Sequence, residues 1–243
     1  MHSSKIDIDV DAQRISGTFA FPDTGMPGVL FLHGWAGSQE RDLRRAKDIA
    51  ALGSVCLTFD MRGHAATLSQ QRYVTRGDNL NDALAAYDRL AAHPDIDPDA
   101  IAVIGSSYGG YLATILTSLR PVRWLALRVP ALYRDADWDV PKYALDKADL
   151  AEYRSTIVMP ADNNALSVSR RFKGDVLIVS SEHDEIVPHA AIASYRAAFI
   201  NARSLTARII SGADHALSQP EGQRAYDSLL LEWFREMILG ARR

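Results

Sequence analysis

Over residues 5–10 apolar and polar side chains alternate, with Ile6, Ile8 and Val10 set among charged neighbours; a period of two is the mark of a strand with one wet face. Residues 15–21 are a second β-rich run. The turn-forming Asp11-Ala12-Gln13 between the two predicts an antiparallel hairpin at a sheet edge. After a loop over residues 22–28 the pattern changes. Residues 29–32 are continuously apolar, as in strands buried on both faces of a parallel sheet, and apolar-rich runs recur at 55–59, 101–104, 124–129, 176–179 and 205–210. Helical composition fills 38–51, 79–92 and a stretch ending near Phe199. Residues 79–92 place Leu80, Ala83, Leu84, Tyr87 and Leu90 on one face, and 221–239 do the same with Tyr226, Leu229, Leu230, Trp233, Phe234 and Met237. Strands and helices at this cadence predict right-handed βαβ units. The fold class is therefore α/β, a mostly parallel central sheet with helices on both faces.

One segment breaks the rhythm. Residues 130–172 are polar, carry Tyr133, Trp138, Pro141, Tyr143, Tyr153, Met159 and Pro160, and show one helical stretch, about 145–153. An interruption of about 40 residues inside a compact α/β domain is usually a functional insertion. The chain thus reads as a single domain over 1–243 with a short cap inserted at about 130–172; the alternative is a surface excursion that its aromatics merely pin down.

The chemistry centres on residues 101–114, IAVIGSSYGGYLAT. An apolar strand breaks at Gly105-Ser106-Ser107-Tyr108-Gly109-Gly110 and passes into a helix beginning near Tyr111. Gly105-x-Ser107-x-Gly109 between a strand and a helix reads as a nucleophile elbow. A serine hydroxyl is too weak an acid to attack a carbonyl unaided, so it must stand clear of the sheet, beside a base and under helix N-terminal amides. Glycines at 105 and 109 remove side chains that so sharp a turn cannot hold. A phosphate-binding loop would follow its last glycine with Lys and Ser/Thr, whereas Gly110 precedes Tyr111 and Leu112. A dinucleotide fingerprint needs an early Gly-x-Gly, which Ser107 breaks. The bland alternative is a serine that only caps the next helix.

Composition narrows the class. At 243 residues, with 47% hydrophobic and 23% charged residues, the chain suits one large soluble α/β domain. A net charge of -3 gives no electrostatic ground for nucleic acid or an anionic membrane as partner. The single cysteine, Cys56, has no internal disulfide partner and sits in an apolar run, which fits core packing in a reducing compartment. Neither a signal-peptide pattern nor an apolar stretch of about 20 residues is present. A cytoplasmic protein acting on a small molecule is the expectation. No metal motif stands out: His-Glu-x-x-His and paired cysteines are absent, and no cofactor is expected.

A serine hydrolase needs a base for the serine proton and an acid that orients the base. Of seven histidines, His33 and His64 follow early strands and His183 and His215 late ones. His215, in a turn after the last strand and before a long helix, is the candidate base. Asp184, following the preceding strand, is the candidate acid, flanked by Glu182 and Glu185, which compete if the strand ends one residue away. Adjacent side chains rarely face each other, so Asp214 is read as a turn-former beside His215. Ser107, Asp184 and His215 then stand in the chain order that accompanies a nucleophile elbow.

Taken with His33-Gly34-Trp35, Asp60-Met61-Arg62-Gly63-His64, His183-Asp184-Glu185-Ile186-Val187-Pro188 and Asp214-His215, the chain resembles the α/β-hydrolase superfamily over nearly its whole length, in particular small cytoplasmic esterases and dienelactone-hydrolase-like members with a short cap. The resemblance implies Ser107 as nucleophile, Asp184 as acid and His215 as base. It places the oxyanion hole at the backbone amides of Trp35 and Tyr108, with His33 and the Asp60–His64 turn as supports of that loop. The sequence departs from the family where His64 is followed by Ala65-Ala66-Thr67 in place of Gly-x-Ser. Dienelactone hydrolases proper use cysteine, so serine at 107 favours esterase chemistry, and haloalkane dehalogenases need aspartate there. Trp35, Tyr108, Tyr133, Trp138 and Tyr143 are candidate walls of a substrate pocket for aryl or cinnamoyl-type esters. The expected function is cleavage of small carboxylic esters through an acyl-enzyme. An amidase or peptidase of the same fold, or a catalytically silent binding protein on this scaffold, are the alternatives.

Overall fold

The alternating pattern resolves into eight strands and seven α-helices among the residues that a computed structural model describes, 2–11, 13–21 and 27–241. In chain order these are β1 (His2–Val10), β2 (Gln13–Phe21), β3 (Gly28–Leu32), α1 (Glu40–Ala50), β4 (Val55–Phe59), α2 (Arg76–Ala91), β5 (Ile101–Ser106), α3 (Tyr108–Leu116), β6 (Trp124–Arg128), α4 (Lys147–Arg154), α5 (Asn164–Arg171), β7 (Asp175–His183), α6 (His189–Ala198), β8 (Ser204–Asp214) and α7 (Pro220–Ala241). The strands form one sheet in the order β1-β2-β4-β3-β5-β6-β7-β8. β1 and β2 pair antiparallel, as expected, with Ile8 opposite Ile15, and β2 runs antiparallel to β4. All pairs from β4 through β8 are parallel. This is the α/β-hydrolase arrangement. Of the predicted turn and loop, Ala12 and residues 22–26 lie outside the described residues.

Alternate side chains of the inner strands serve two cores. Leu30 and Leu32 of β3 join α2, α3, α5 and α6 on one face, while Val29 and Phe31 join α1 and α7 on the other. With helices on both faces, every residue of β3, β4 and β6 is buried. That explains why these segments read as apolar-rich runs and not as alternations.

The strand order also fixes where a site can form. β3 is flanked by β4 on one side and β5 on the other, so the chain leaves the end of β3 in one direction and the end of β5 in the opposite one. A crevice opens between loops that diverge in this way at the carboxyl edge of the sheet.

Several boundaries differ from expectation. α2 starts at Arg76, earlier than residue 79, because Thr75 and Asp78 form a reciprocal capping box. α3 starts at Tyr108, directly after the serine. β7 and β8 outrun their apolar cores and stay paired as far as His183 and Asp214. Between residues 130 and 172 there are two α-helices, α4 and α5, and two single 3-10 turns, where the sequence suggested one helix. α5 is capped by the Asn163 side chain, which accepts from the Leu166 amide, and it buries Ala165, Leu166 and Val168.

The backbone of α3 presses on the end of β3. A Cβ on Gly109 would stand 2.2 Å from the Leu32 carbonyl oxygen and 2.5 Å from that of His33, both rigid backbone atoms. Gly109→Ala is therefore expected to cost more than about 3 kcal/mol in chemical denaturation. Gly240→Ala is the control: nothing lies within 4 Å of its added Cβ, so stability should hold or rise slightly.

Candidate active site

Ser107 occupies the bend between β5 and α3 with φ 53° and ψ -113°, a strained backbone that is sustained only when its surroundings enforce it. They do so from both sides. The Ser107 amide donates to the Arg128 carbonyl (2.8 Å), and its carbonyl accepts from the amides of Tyr111 (3.2 Å) and Ala131 (3.0 Å). A Cβ on Gly105 would stand 2.5 Å from the Gly109 carbonyl oxygen, so the bend can close only over glycine. The serine side chain makes no capping bond to α3, which removes the bland reading of this turn. Its Oγ instead lies 3.1 Å from His215 Nε2.

His215 follows β8, and its Nδ1 lies 2.7 and 2.9 Å from the two oxygens of Asp184, which follows β7. Asp184 also accepts from the amides of Ile186 (2.9 Å) and Val187 (2.7 Å). Burial alone would raise its pKa. The hydrogen bonds from His215 and the two amides outweigh that and hold it below the usual value, so the carboxylate stays ionised. The flanking acids are spent elsewhere: Glu182 accepts from the Gly212 amide, and Glu185 faces solvent. Asp214 turns away from its neighbour and caps the following turn through the amide and hydroxyl of Ser218. Arg128 was not singled out in the sequence, although a charge inside a buried strand was a signal. It reaches from β6 to the His215 carbonyl (2.9 Å) and holds the histidine turn in place.

The loop after β3 completes the crevice. A Cβ on Gly34 would meet Ser107 Cβ at 3.4 Å, which brings the Gly34-Trp35 backbone beside Ser107. The Tyr108 amide is the first of α3 and so has no intrahelical acceptor. Below this loop, His33 Nε2 accepts from the Met61 amide (3.1 Å) and Nδ1 lies 2.8 Å from the Gly34 carbonyl, which places the ring proton on Nδ1. Asp60 binds Gln39 through backbone (2.8 Å) and side chain (2.9 Å). Arg62 pairs with the fully buried Asp82, Asp82 accepts from Asn79, and Asn79 accepts from the Tyr108 hydroxyl (3.0 Å). Asn79 and Asp82 were legible only as polar residues in the buried phase of α2.

Among the aromatic candidates, Trp35 packs edge-on to Tyr108 at 5.4 Å, and Tyr108 to Tyr133 at 5.8 Å. Trp138 lies against Arg76 and Gly77. Tyr143 stands apart: it is 55% exposed, with Arg72 against its ring, because its neighbour Lys142 takes the inward position. The Lys142 ammonium sits 4.2 Å from the Trp35 ring centre, 5.4 Å from Tyr108 and 5.7 Å from Tyr133. Burial, then Arg154, Arg76 and Lys147, pull its pKa down to about 7. Among the described residues no group of three His, Cys, Asp or Glu side chains is placed to hold a metal ion, and no helix is long and apolar enough to cross a membrane.

The sequence profile of the prolyl oligopeptidase family matches residues 43–240. An uncharacterized protein of Mycobacterium tuberculosis is 30% identical over 183 residues, 73% of this chain and 60% of that protein, so the chain spans less than two-thirds of that relative. Among solved structures, dienelactone hydrolase from Anabaena variabilis superposes with a TM-score of 0.70 at 19% identity, covering 97% of both chains. Est1E from Butyrivibrio proteoclasticus with ferulic acid bound superposes with a TM-score of 0.69 at 19% identity, covering 97% of this chain and 98% of that one. At such identities the likeness speaks for the fold.

His64 offers a pH test of the loop's support. It is 1% exposed, its Nε2 has no partner, and burial followed by the neighbouring His33 lowers its pKa from 6.5 to about 4. Between those values the unfolded chain binds the proton and the folded chain does not. Stability is therefore fully present above pH 6.5 and falls by about 3 kcal/mol as pH drops to about 4. Urea denaturation across this range should show the loss, and His64→Gln should make it smaller, with the part due to His33 and Asp184 remaining.

Proposed function

The chain belongs to the prolyl oligopeptidase family, and on that footing we propose that it is a serine hydrolase cleaving carboxylic esters, with Ser107 as nucleophile, His215 as base and Asp184 as the acid that orients it. The observation that carries the reading is the continuous set of hydrogen bonds from Ser107 Oγ through His215 to Asp184. As Oγ attacks the ester carbonyl carbon, its proton passes to His215 Nε2, and Asp184 stabilises the imidazolium through Nδ1–H. The carbonyl oxygen, now negative, rests on the amides of Trp35 and Tyr108, each such donor being worth roughly 3 kcal/mol of transition-state stabilisation. The tetrahedral centre collapses, the alcohol leaves with the proton from Nε2, and an acyl group remains on Oγ. Water, deprotonated by the same nitrogen, then releases the acid and restores the serine. The buried His33 and His64 do not take this part, since burial makes both weaker bases and both are engaged beneath the loop.

Residues 130–172 act as the cap over this site, supported by Tyr133 standing against Tyr108 and by Lys142 standing against Trp35 and Tyr108. The aromatic character of these residues supports an aromatic acyl group. Two end-to-end structural matches favour esters, since dienelactone hydrolase is named for an ester substrate and Est1E holds an aromatic acid. The name of the family favours the second reading, a peptidase using the same residues.

Ser107→Ala should lower kcat/KM for p-nitrophenyl butyrate by at least about 1,000-fold with circular dichroism unchanged, and a fluorophosphonate probe should label the native protein at Ser107 only. Full activity in the variant would remove Ser107 from the reaction. Faster cleavage of acyl-peptide p-nitroanilides than of matched esters would decide for the peptidase, and absence of labelling for a silent binding protein.

A further inference from the structure

Three cations converge on one aromatic ring, that of Tyr133, which packs against Tyr108, the residue after the proposed nucleophile. The guanidinium carbons of Arg76 and Arg154 lie 5.3 and 4.6 Å from the centre of Tyr133, and the Lys142 ammonium lies 5.7 Å away. Among the described residues none of the three forms a salt bridge, and the acids nearby are engaged: Asp82 with Arg62, Asp149 with Arg134, and Asp135 with the Asn164 amide. Arg154 is held by the carbonyls of Leu132 and Ile186. Arg76 is fully buried and uses only Nη1, toward the Tyr111 hydroxyl and the Arg134 carbonyl; its Nε and Nη2 have no partner.

That idle edge is the informative feature. Nε and Nη2 are the two donors with which Arg120, Arg134 and Arg203 each grip a carboxylate elsewhere in this molecule. In Arg76 the same fork is buried and empty, and a guanidinium remains charged at any working pH. Like charges gathered with no salt-bridge partner among buried side chains lower stability, so packing alone does not account for the cluster. An incoming anion would.

We propose that Lys142 and Arg76, with Arg154 behind them, form an anion subsite beside Ser107, and that the favoured substrate is an ester carrying a carboxylate. The inference rests on the reading of Ser107 as the nucleophile of an ester hydrolase. Lys142, half-buried, meets the carboxylate first; Arg76, fully buried against Tyr133 and Trp138, stands behind it. Trp35 links the subsite to the reaction. Its ring touches the ammonium, and its backbone amide is one of the two proposed for the oxyanion, so a short diacid monoester spans both. Carboxylate is favoured over a neutral or cationic group because a planar two-oxygen acceptor matches the free fork.

The test compares p-nitrophenyl hydrogen glutarate with p-nitrophenyl valerate, esters of equal chain length that differ in the terminal charge. The native protein should show kcat/KM at least about 10-fold higher for the glutarate, chiefly through KM. Lys142→Met should cut that ratio by about 10-fold or more, and Lys142→Arg should restore most of it. The ratio should also fall as pH rises through about 7, where Lys142 loses its proton. The groups that face it are the cations Arg76, Arg154 and Lys147, together with His64, whose pKa burial lowers, and Tyr108 and Tyr133, whose pKa values burial raises. Equal or better cleavage of valerate by the native protein, or a ratio unmoved by Lys142→Met, overturns the subsite and leaves the hydrolase reading intact. A binding arm separates the two in the other direction. Monomethyl glutarate should saturably change the tryptophan fluorescence of Ser107→Ala but not of Ser107→Ala/Lys142→Met. That binding without hydrolysis of either ester by the native protein would support the subsite and defeat the hydrolase; its absence would overturn the subsite.

Discussion

The contact on which the rest of the structure depends is made of backbone alone: the first turn of α3 against the carbonyl ends of β3, with no space for a methyl group between them. This approach forces the chain to turn at Ser107 within one residue, and it explains the positive φ there. A wider turn would let the serine side chain fall back over its own helix as a cap. The tight one leaves the hydroxyl standing in the crevice between diverging loops, where side chains from distant parts of the chain reach it.

Each of those side chains is held through the peptide backbone. Asp184 is oriented by two amides of its own turn, the His215 turn by an arginine from β6, and the loop at Trp35 by His33 and by Asp60 through Gln39. The pins on the loop and on Tyr108 continue inward to a buried run of Arg62, Asp82, Asn79 and the Tyr108 hydroxyl. Polar groups at such depth fix a geometry only when satisfied along the whole run. Arg76 departs from that rule with two unpartnered donors, more than any other side chain among the described residues, which sets it apart from the scaffold.

The fold was largely legible because its two signals are local. Apolar-rich strand cores and amphipathic helices follow from which residues face the two cores, and the glycines at 105 and 109 mark the elbow by what cannot fit. The candidate serine, histidine and aspartate were legible as residues that follow strands of one parallel sheet, whose ends share an edge. What the sequence concealed depends on contacts across the fold. The paired extensions of β7 and β8 are polar and carry no strand pattern, and α5 is too short for its periodicity to stand out beside Pro160. That Lys142 and not Tyr143 turns inward was not readable at all, since both lie on one short turn and only the aromatic box decides between them.

The tie from Arg128 to the carbonyl of His215 has a consequence for local opening. β8 is one of the two edge strands, with Leu205 and Ile209 exposed and, among the described residues, a strand partner on one side only, so it belongs to the less protected part of the sheet. An imidazole carried on its end would ordinarily share in every fraying event of that edge. The arginine comes from an inner strand, two positions further in, and bypasses β7 to reach the turn. The imidazole is thereby anchored to the interior of the sheet, and its residence in place is set by the slow breathing of the central strands.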